Sequence, residues 1–491
     1  MGVAAPPEAV NQFTRGLLLW LVASLFLVPS TVALHGLKSV GMPAQLLGWV
    51  ALLHWLGCTL RRDGSIAAGP QPARFMMGLL MGLSSISYGI AFSRPLVSLE
   101  SGNANRLVYL LISAIGIALL LADGLRDMAA VRRVAEVAAY GSYFSAFIGL
   151  LQYFVSLNYN QILGKSLVFV LNTSDFGVGQ FDTNIGRGFR AYGTADHAIE
   201  FAVVCSTMLP MALHLARHSG TRERRRLHTI GAATMALGTL LSISRSGIVG
   251  LVVGLVIYAW TMPRRSVANL AAAALSILVL TQVAAHGVLT TLRYLLLAGN
   301  SDPSLAHRSD NIPYILPLLK GRVWSGIGFG TYQPVVYRVL DDQYLVTLVN
   351  SGVLGAIGLA LLFLAGATIA RDGRRQLVDV SDRDFGQALA AGLLVLGVSA
   401  AFYDEFAFRQ SALLVFVLLG LAGAYWRVSA NAPDQSAARV GRTARTSGVT
   451  PLVSRNSTTQ AAEEDDTDVV ARQSNESFGA RRTKQNVHGD N

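Results

Sequence analysis

Arg308, Asp341 and Asp342 share one polar stretch of the chain. It runs through Gly326-Ile327-Gly328-Phe329-Gly330-Thr331-Tyr332 and ends at Gln343-Tyr344-Leu345. A second polar group lies in Arg190-Ala191-Tyr192-Gly193-Thr194-Ala195-Asp196-His197, and Arg245 stands between Ser244 and Ser246. These residue types suit group transfer from a phosphate-bearing lipid. Arginine offers a planar fork that binds phosphate oxygens in pairs. Held where the dielectric is low, it stabilises a diphosphate as charge develops on departure. An aspartate near an acceptor hydroxyl acts as a general base.

Each of these residues also has a structural reading. Arginines at a membrane boundary snorkel to headgroups, which applies to Arg245, while Arg187 and Arg190 read equally as solvated loop charges. Asp196 precedes a helix start, as do Asp341 and Asp342, and aspartate is a good N-cap; capping and chemistry are compatible. Glu200, one turn beyond Asp196, falls on the same helix face. The glycine run follows no strand, so it is a tight loop and not a nucleotide fingerprint. His54 and His214 fall within apolar runs and read as packed core histidines. Cys58 and Cys205 do too, and read as small core residues, not a disulfide or metal site. No ligand cluster is evident along the chain, and no metal or nucleotide cofactor is expected.

The elements that must position these residues are apolar and long. Of 491 residues, 52% are hydrophobic and 14% charged, where a soluble domain carries about 25% charged residues. Twelve apolar segments recur, at 16–34, 43–60, 73–93, 105–123, 134–156, 196–216, 228–243, 247–261, 267–286, 343–369, 386–403 and 409–427. Most approach the length of a spanning helix, about 20 residues. An outer-membrane barrel would instead show alternating segments of about ten residues. The expectation is an all-α polytopic membrane protein with about twelve transmembrane helices.

The net charge of +11 is topological on this reading, and no nucleic-acid partner is expected. Arg61 and Arg62, then Arg126, Arg132 and Arg133, then Arg222 to Arg226 fall in alternate short loops, as do Arg264 and Arg265, and Arg371 to Arg383. The positive-inside rule puts those loops and both termini in the cytoplasm. Two long loops, 157–195 and 287–342, then face outward, and both carry aromatic residues. Within the second, 312–319 is apolar enough to lie along the interface. Residues 1–429 form the helical domain. The tail, 430–491, is polar with eight basic and eight acidic residues and is expected to be a disordered cytoplasmic segment, with too little apolar surface to offset ordering entropy.

With these residues placed, the chain resembles the O-antigen ligase and polymerase superfamily of bacterial membrane proteins. The resemblance rests on Arg308, Trp324, Gly326-Ile327-Gly328, Tyr332, Asp341-Asp342-Gln343-Tyr344-Leu345, Gly352 and Gly355, on Ser244-Arg245-Ser246, and on Arg190 through His197. It covers about 180–370 at the level of motifs. It implies about a dozen helices and a large outer loop before a late helix. It also implies transfer of a glycan from a polyprenyl diphosphate at the outer face of the inner membrane. Asp341, Asp342 and Arg245 are the expected catalytic residues. Arg190, Arg308, His197, Tyr332 and Tyr344 are the expected substrate-binding ones.

Ligases usually have histidine where this chain has Asp341, and polymerases often have aspartate, which favours polymerisation of lipid-linked repeat units into a surface polysaccharide or exopolysaccharide. A ligase, moving finished glycan to an acceptor, is the alternative. A small-anion transporter is the reading from another class, but ion-coupled transporters place ionisable groups near the midplane, and acids are scarce within these spans. The partners implied are polyprenyl-diphosphate-linked glycans, membrane lipids, and a flippase and chain-length regulator of the same pathway.

Overall fold

The computed structural model describes residues 7–37, 40–61, 66–67, 69–171, 189–285, 287–297 and 310–431. Arg187, Arg308 and the tail beyond 431 lie outside the described residues, and the expectations for them are neither met nor overturned.

The helices are α1 (Pro7–Leu27), α2 (Pro43–Arg61), α3 (Pro72–Ala91), α4 (Ser98–Gly124), α5 (Met128–Val155) and α6 (Tyr159–Gly164). Next come α7 (Ala198–His218), α8 (Arg222–Leu241), α9 (Arg245–Ala259), α10 (Arg264–Ala284) and α11 (Val288–Leu297). The last are α12 (Asn311–Leu318), α13 (Gln343–Gln376), α14 (Val380–Ser399) and α15 (Arg409–Ala430). Each of the twelve apolar segments coincides with one helix. Seven of the helices (α1, α4, α5, α7, α10, α13 and α15) are long and apolar enough to cross a membrane. The fold is that of an all-α, multi-pass membrane protein.

The boundaries differ from expectation in several places, and Arg132 and Arg133, Arg264 and Arg265, and Arg371, Arg374 and Arg375 lie within α5, α10 and α13. Segment 16–34 ends as a helix at Leu27, before Pro29. Its remainder includes β1 (Val32–Leu34), paired antiparallel with β2 (Phe169–Leu171) in register Val32 to Leu171. The run Arg222 to Arg226 is not a loop but the first turns of α8, started by a Thr221 side chain that accepts from Arg224 N. The second long loop is partly helical, through α11 and α12.

The core lies where α15 meets α4, α13, α14 and α7. Of the apolar windows, that of α15 is 89% buried and that of α10 only 6%, so α10 stands at the periphery. Helix α9 is short but closely embraced. A Cβ at Gly247 would lie 2.3 Å from Ala202 Cβ, one at Gly250 2.9 Å from Ser206 Oγ, and one at Gly254 3.0 Å from Val395 Cγ2. Three glycines on one face therefore let α9 nest against α7 and α14, the small-residue contact common between membrane helices.

Hydrogen bonds sort the helix ends into two sets. One set, called here the site end, gathers the starts of α4, α7, α9, α13 and α15. The far end gathers the starts of α5 and α14 with the ends of α4, α7 and α15.

Candidate functional site

The site end is built by helix caps. Asp342 caps α13, its Oδ1 accepting from Tyr344 N at 2.8 Å and Leu345 N at 3.1 Å. Ser244 caps α9 through Gly247 N at 3.3 Å, placing Arg245 on the first turn, beside the positive end of the helix dipole. The turn before it is sharp, with Ile243 at φ 48°. Arg190 and Ala191 dock on this turn. Arg190 Nε donates to Ser242 O at 2.8 Å and Ala191 N to Leu241 O at 3.2 Å. Arg190 and Arg245, 55 positions apart, thus flank one three-residue turn.

The α7 start corrects the expected cap. His197, not Asp196, is the cap residue, its Nδ1 accepting from Ile199 N at 3.1 Å. Its ring lies 5.9 Å from that of Phe408. Burial, and then the positive charge of Arg190, push the imidazole down to about 4, so it is neutral at physiological pH. Glu200 is fully buried and structural. Its Oε1 accepts from Gln410 N at 2.8 Å and Ser411 N at 3.1 Å, and its Oε2 from Asp196 N at 2.8 Å and Ser30 Oγ at 3.3 Å. Glu200 therefore caps the first turn of α15 from another helix.

The glycine-rich loop is a clamp on α13. Gly352 sits inside that helix at φ 67°, ψ −169°, which breaks the helical ladder. The freed carbonyls of Val349 and Asn350 accept from Ile327 N and Gly328 N, both at 2.8 Å, and Val353 N donates to Val323 O at 2.9 Å. A Cβ at Gly352 would meet the Trp324 carbonyl at 2.2 Å, so only glycine fits both the backbone angle and the contact. Asn350 Oδ1 accepts from Tyr332 N at 2.8 Å, and Asn103 Nδ2 donates to Gly330 O at 2.8 Å.

This clamp closes one end of an apolar cleft of about 640 Å³. Helices α3, α4, α13 and α15 line it with residues such as Phe75, Ile86, Leu107, Leu361 and Phe416, and Trp324 is at its mouth. Phe75, Ile86 and Leu361 are more than half exposed, so the cleft opens sideways. Its polar lining includes Arg106, Asn103, Gln343 and Asp404.

Asp404 and Arg106 are the residues that sequence reasoning missed. Asp404 lies between α14 and α15, and Gln343 pins this connection to the start of α13: its N–H donates to Ala400 O at 2.8 Å, and its Oε1 accepts from Phe406 N at 2.7 Å. Loss of water pushes the Asp404 carboxyl up to about 7; Arg106 opposes the shift, and Asp341 and Asp342 add to it. Beside it Glu405 is fully buried, and burial holds its carboxyl well above the usual range. The available signal was the pair Asp404-Glu405 between the last two apolar segments of an acid-poor chain. Arg106 was hidden inside the segment assigned to 105–123.

The expected residues therefore fall in two neighbouring groups. Arg190, Arg245 and His197 gather around the starts of α7 and α9. Asp341 and Asp342 stand with Asp404 and Arg106 at the cleft. The α14–α15 connection joins the groups: its Phe408 ring lies against His197, and its Asp404 feels the charge of Arg106. Asp341 is exposed, at φ 50°. Tyr332 is buried and stacks on Tyr337 at 4.9 Å, its hydroxyl donating to Arg338 O at 2.8 Å. The Tyr344 hydroxyl donates to Gly397 O at 2.7 Å and so ties α13 to α14.

The fold and the site define a class: a multi-pass helical membrane protein with arginines and acids gathered beside a lateral apolar cleft. Residues 230–360 match the family model described as O-Antigen ligase (Wzy_C). Over that stretch the chain is thus similar to the O-antigen ligase family, which supports the resemblance read from its motifs. The match contains Arg245, Tyr332, Asp341, Asp342 and Tyr344, while Arg190, His197, Arg106 and Asp404 lie outside it. No curated protein matches the chain.

Proposed function

We propose that this protein polymerises polyprenyl-diphosphate-linked oligosaccharide repeats at the outer face of the bacterial inner membrane. On this reading all twelve long helices cross the bilayer, both termini are cytoplasmic, and the site end faces outward. The observation that carries the reading is the lateral cleft, apolar along its length and polar at Arg106, Asn103 and Asp404. A polyprenyl tail enters from the bilayer and lies against α3 and α13, which leaves its diphosphate at the polar end.

The reaction joins a hydroxyl of the acceptor sugar to the anomeric carbon of the donor and breaks that carbon's bond to the diphosphate. Asp341, exposed beside the cleft, takes the hydroxyl proton, and Asp342 fixes the start of α13 beneath it. Arg106, with Arg190 and Arg245 from the neighbouring group, offsets the charge developing on the diphosphate. Asp404 shares a proton with solvent near pH 7, so its protonated form donates to the departing oxygen without repelling it.

A second reading, transfer of finished glycan to an acceptor by a ligase, is favoured by the description of the matching family. The two separate on a gel of lipid-linked glycans from cells with and without the gene. A polymerase is expected to leave single repeats on the carrier when lost; a ligase leaves polymer that never reaches its acceptor. An unchanged glycan pattern overturns both. A flippase and a chain-length regulator are the expected partners in the cell.

A further inference from the structure

The far end holds a cluster that the proposed reaction does not use. His214 and His218 lie one turn apart on α7 and so share a face. Asp384, in the first turns of α14, meets both: His214 Nδ1 is 3.0 Å and His218 Nε2 3.2 Å from the same carboxylate oxygen, Oδ2. Tyr258 of α9 donates to that oxygen as well, at 2.6 Å, and Arg217 Nη1 donates to the other oxygen, Oδ1, at 2.8 Å. His214, Tyr258 and Asp384 are buried, while the His218 side chain remains 21% exposed. The expectation of a packed core histidine at 214 captures its burial and misses its partner.

We propose that His214, His218 and Asp384 bind a divalent transition metal, with Zn²⁺ the best match. The ligand atoms of the three residues all lie within 4.8 Å of one another. In a tetrahedral site with bonds of about 2.0–2.1 Å, neighbouring ligand atoms are separated by about 3.3 Å. The two nitrogen–oxygen distances are already near that edge length.

Hydrogen-bond capacity points the same way. Three groups converge on Oδ2, whereas a carboxylate oxygen has two lone pairs. A cation between the imidazoles and Oδ2 turns two crowded contacts into metal bonds and leaves the Tyr258 hydrogen bond intact. Arg217 then holds the second oxygen and orients the ligand, as outer-shell partners of ligating carboxylates do. Two imidazoles and one carboxylate suit Zn²⁺ or Co²⁺ and not Mg²⁺ or Ca²⁺, which take oxygen ligands. The exposed edge of His218 gives the ion a way in.

The consequence is mechanical. The metal would staple α7 to α14, with Tyr258 bringing α9 to the same point. The opposite ends of these helices present His197, lead into Asp404, and present Arg245. The staple therefore holds the distant end of the three helices that position the proposed chemistry.

The test uses the full-length protein in lipid nanodiscs, with its purification tag removed and its metals stripped by a chelator. Titration with Co²⁺ is expected to give one equivalent of a tetrahedral visible absorption band, bleached by Zn²⁺ and unaffected by Mg²⁺. His218→Gln, at the least buried ligand, is expected to weaken Co²⁺ binding by at least about 10-fold. X-ray absorption on the Zn²⁺-loaded wild type needs no variant and is expected to show two imidazoles in the first shell. Absence of the band, equal binding by His218→Gln, or a first shell without imidazole overturns the proposal. Asp384 is then a carboxylate held by His214, Tyr258 and Arg217 and no metal.

Discussion

The two ends of the bundle use their polar residues differently. At the far end, side chains pair with side chains across helices. Arg15 meets Asp127 at 2.9 Å, Arg74 meets Asp123 at 2.9 Å, and Arg217 meets Asp384 at 2.8 Å. Arg132 also meets Asp382. Arg427 donates to the carbonyls of Ala122 and Leu125. At the site end one such pair also occurs, Arg94 with Glu100 at 2.8 Å, but several of the expected site residues are turned onto nearby backbone. Asp342 and Ser244 cap their own helices, His197 caps α7, and Arg190 holds the carbonyl of Ser242. A backbone contact uses part of a side chain and fixes where it stands. An ion pair spends the charge on holding helices together. On the proposed function, the difference separates residues that position a reaction from residues that position the bundle.

The sharpest way to break this comparison is Arg245→Ala. If the arginine serves an arriving diphosphate, glycan assembly is lost while the protein still inserts and folds. Normal polymer in complemented cells would show that its charge is spent elsewhere. Glu200→Gln probes the site-end carboxylate that behaves like a far-end one. Its four donors include three backbone N–H groups, and replacing one oxygen by an NH₂ group sets donor against donor. The expected loss is on the order of 3 kcal/mol of stability, visible as a lower melting temperature in detergent.

Gly352→Ala comes next. It forces a side chain at positive φ into the Trp324 carbonyl, and should cost about 2 kcal/mol or more, with the cleft deformed and polymer length reduced on the same gel. Asp404→Asn sharpens the comparison through pH. Asp404 has a raised value, so its protonated form declines as pH rises through about 7. Wild-type transfer should fall over that window, and the variant, a permanent hydrogen-bond donor, should lose that limb of the profile. A wild-type rate that is flat from pH 6 to 8 would remove the hydrogen-bond-donor role. The smallest effect is expected of Tyr344→Phe, which deletes one hydrogen bond to Gly397 O and should cost about 1 kcal/mol with transfer retained.

Much of the fold was legible because its signals are local. Apolar runs marked the twelve long helices, and Asp342 was recognised as a possible cap because a cap acts within three residues. Arg190 and Arg245 were chosen on residue type, and their meeting at one turn needed the fold, since 55 positions separate them. Asp404 was passed over because it stands in a connection of a few residues. Its importance comes from Arg106 and Asp342, which belong to other helices. His214 was read as core for the same reason: burial follows from its apolar neighbours in sequence, while Asp384 is 170 residues away. Tyr332 and Tyr344 were expected to bind substrate on the strength of the resemblance, and their hydroxyls prove to be tied to backbone carbonyls.

Glu200 also constrains the order of events at the ribosome. Its donors Gln410 and Ser411 lie 210 and 211 residues downstream. At translation rates of about 5–20 residues per second, the carboxylate precedes them by roughly 10 to 40 s. During that interval it has the Ser30 hydroxyl, already synthesised, and the N–H of Asp196, four residues behind it. A nascent chain halted before residue 410 therefore carries α7 with half of this carboxylate's final hydrogen bonds, and α15 supplies the rest.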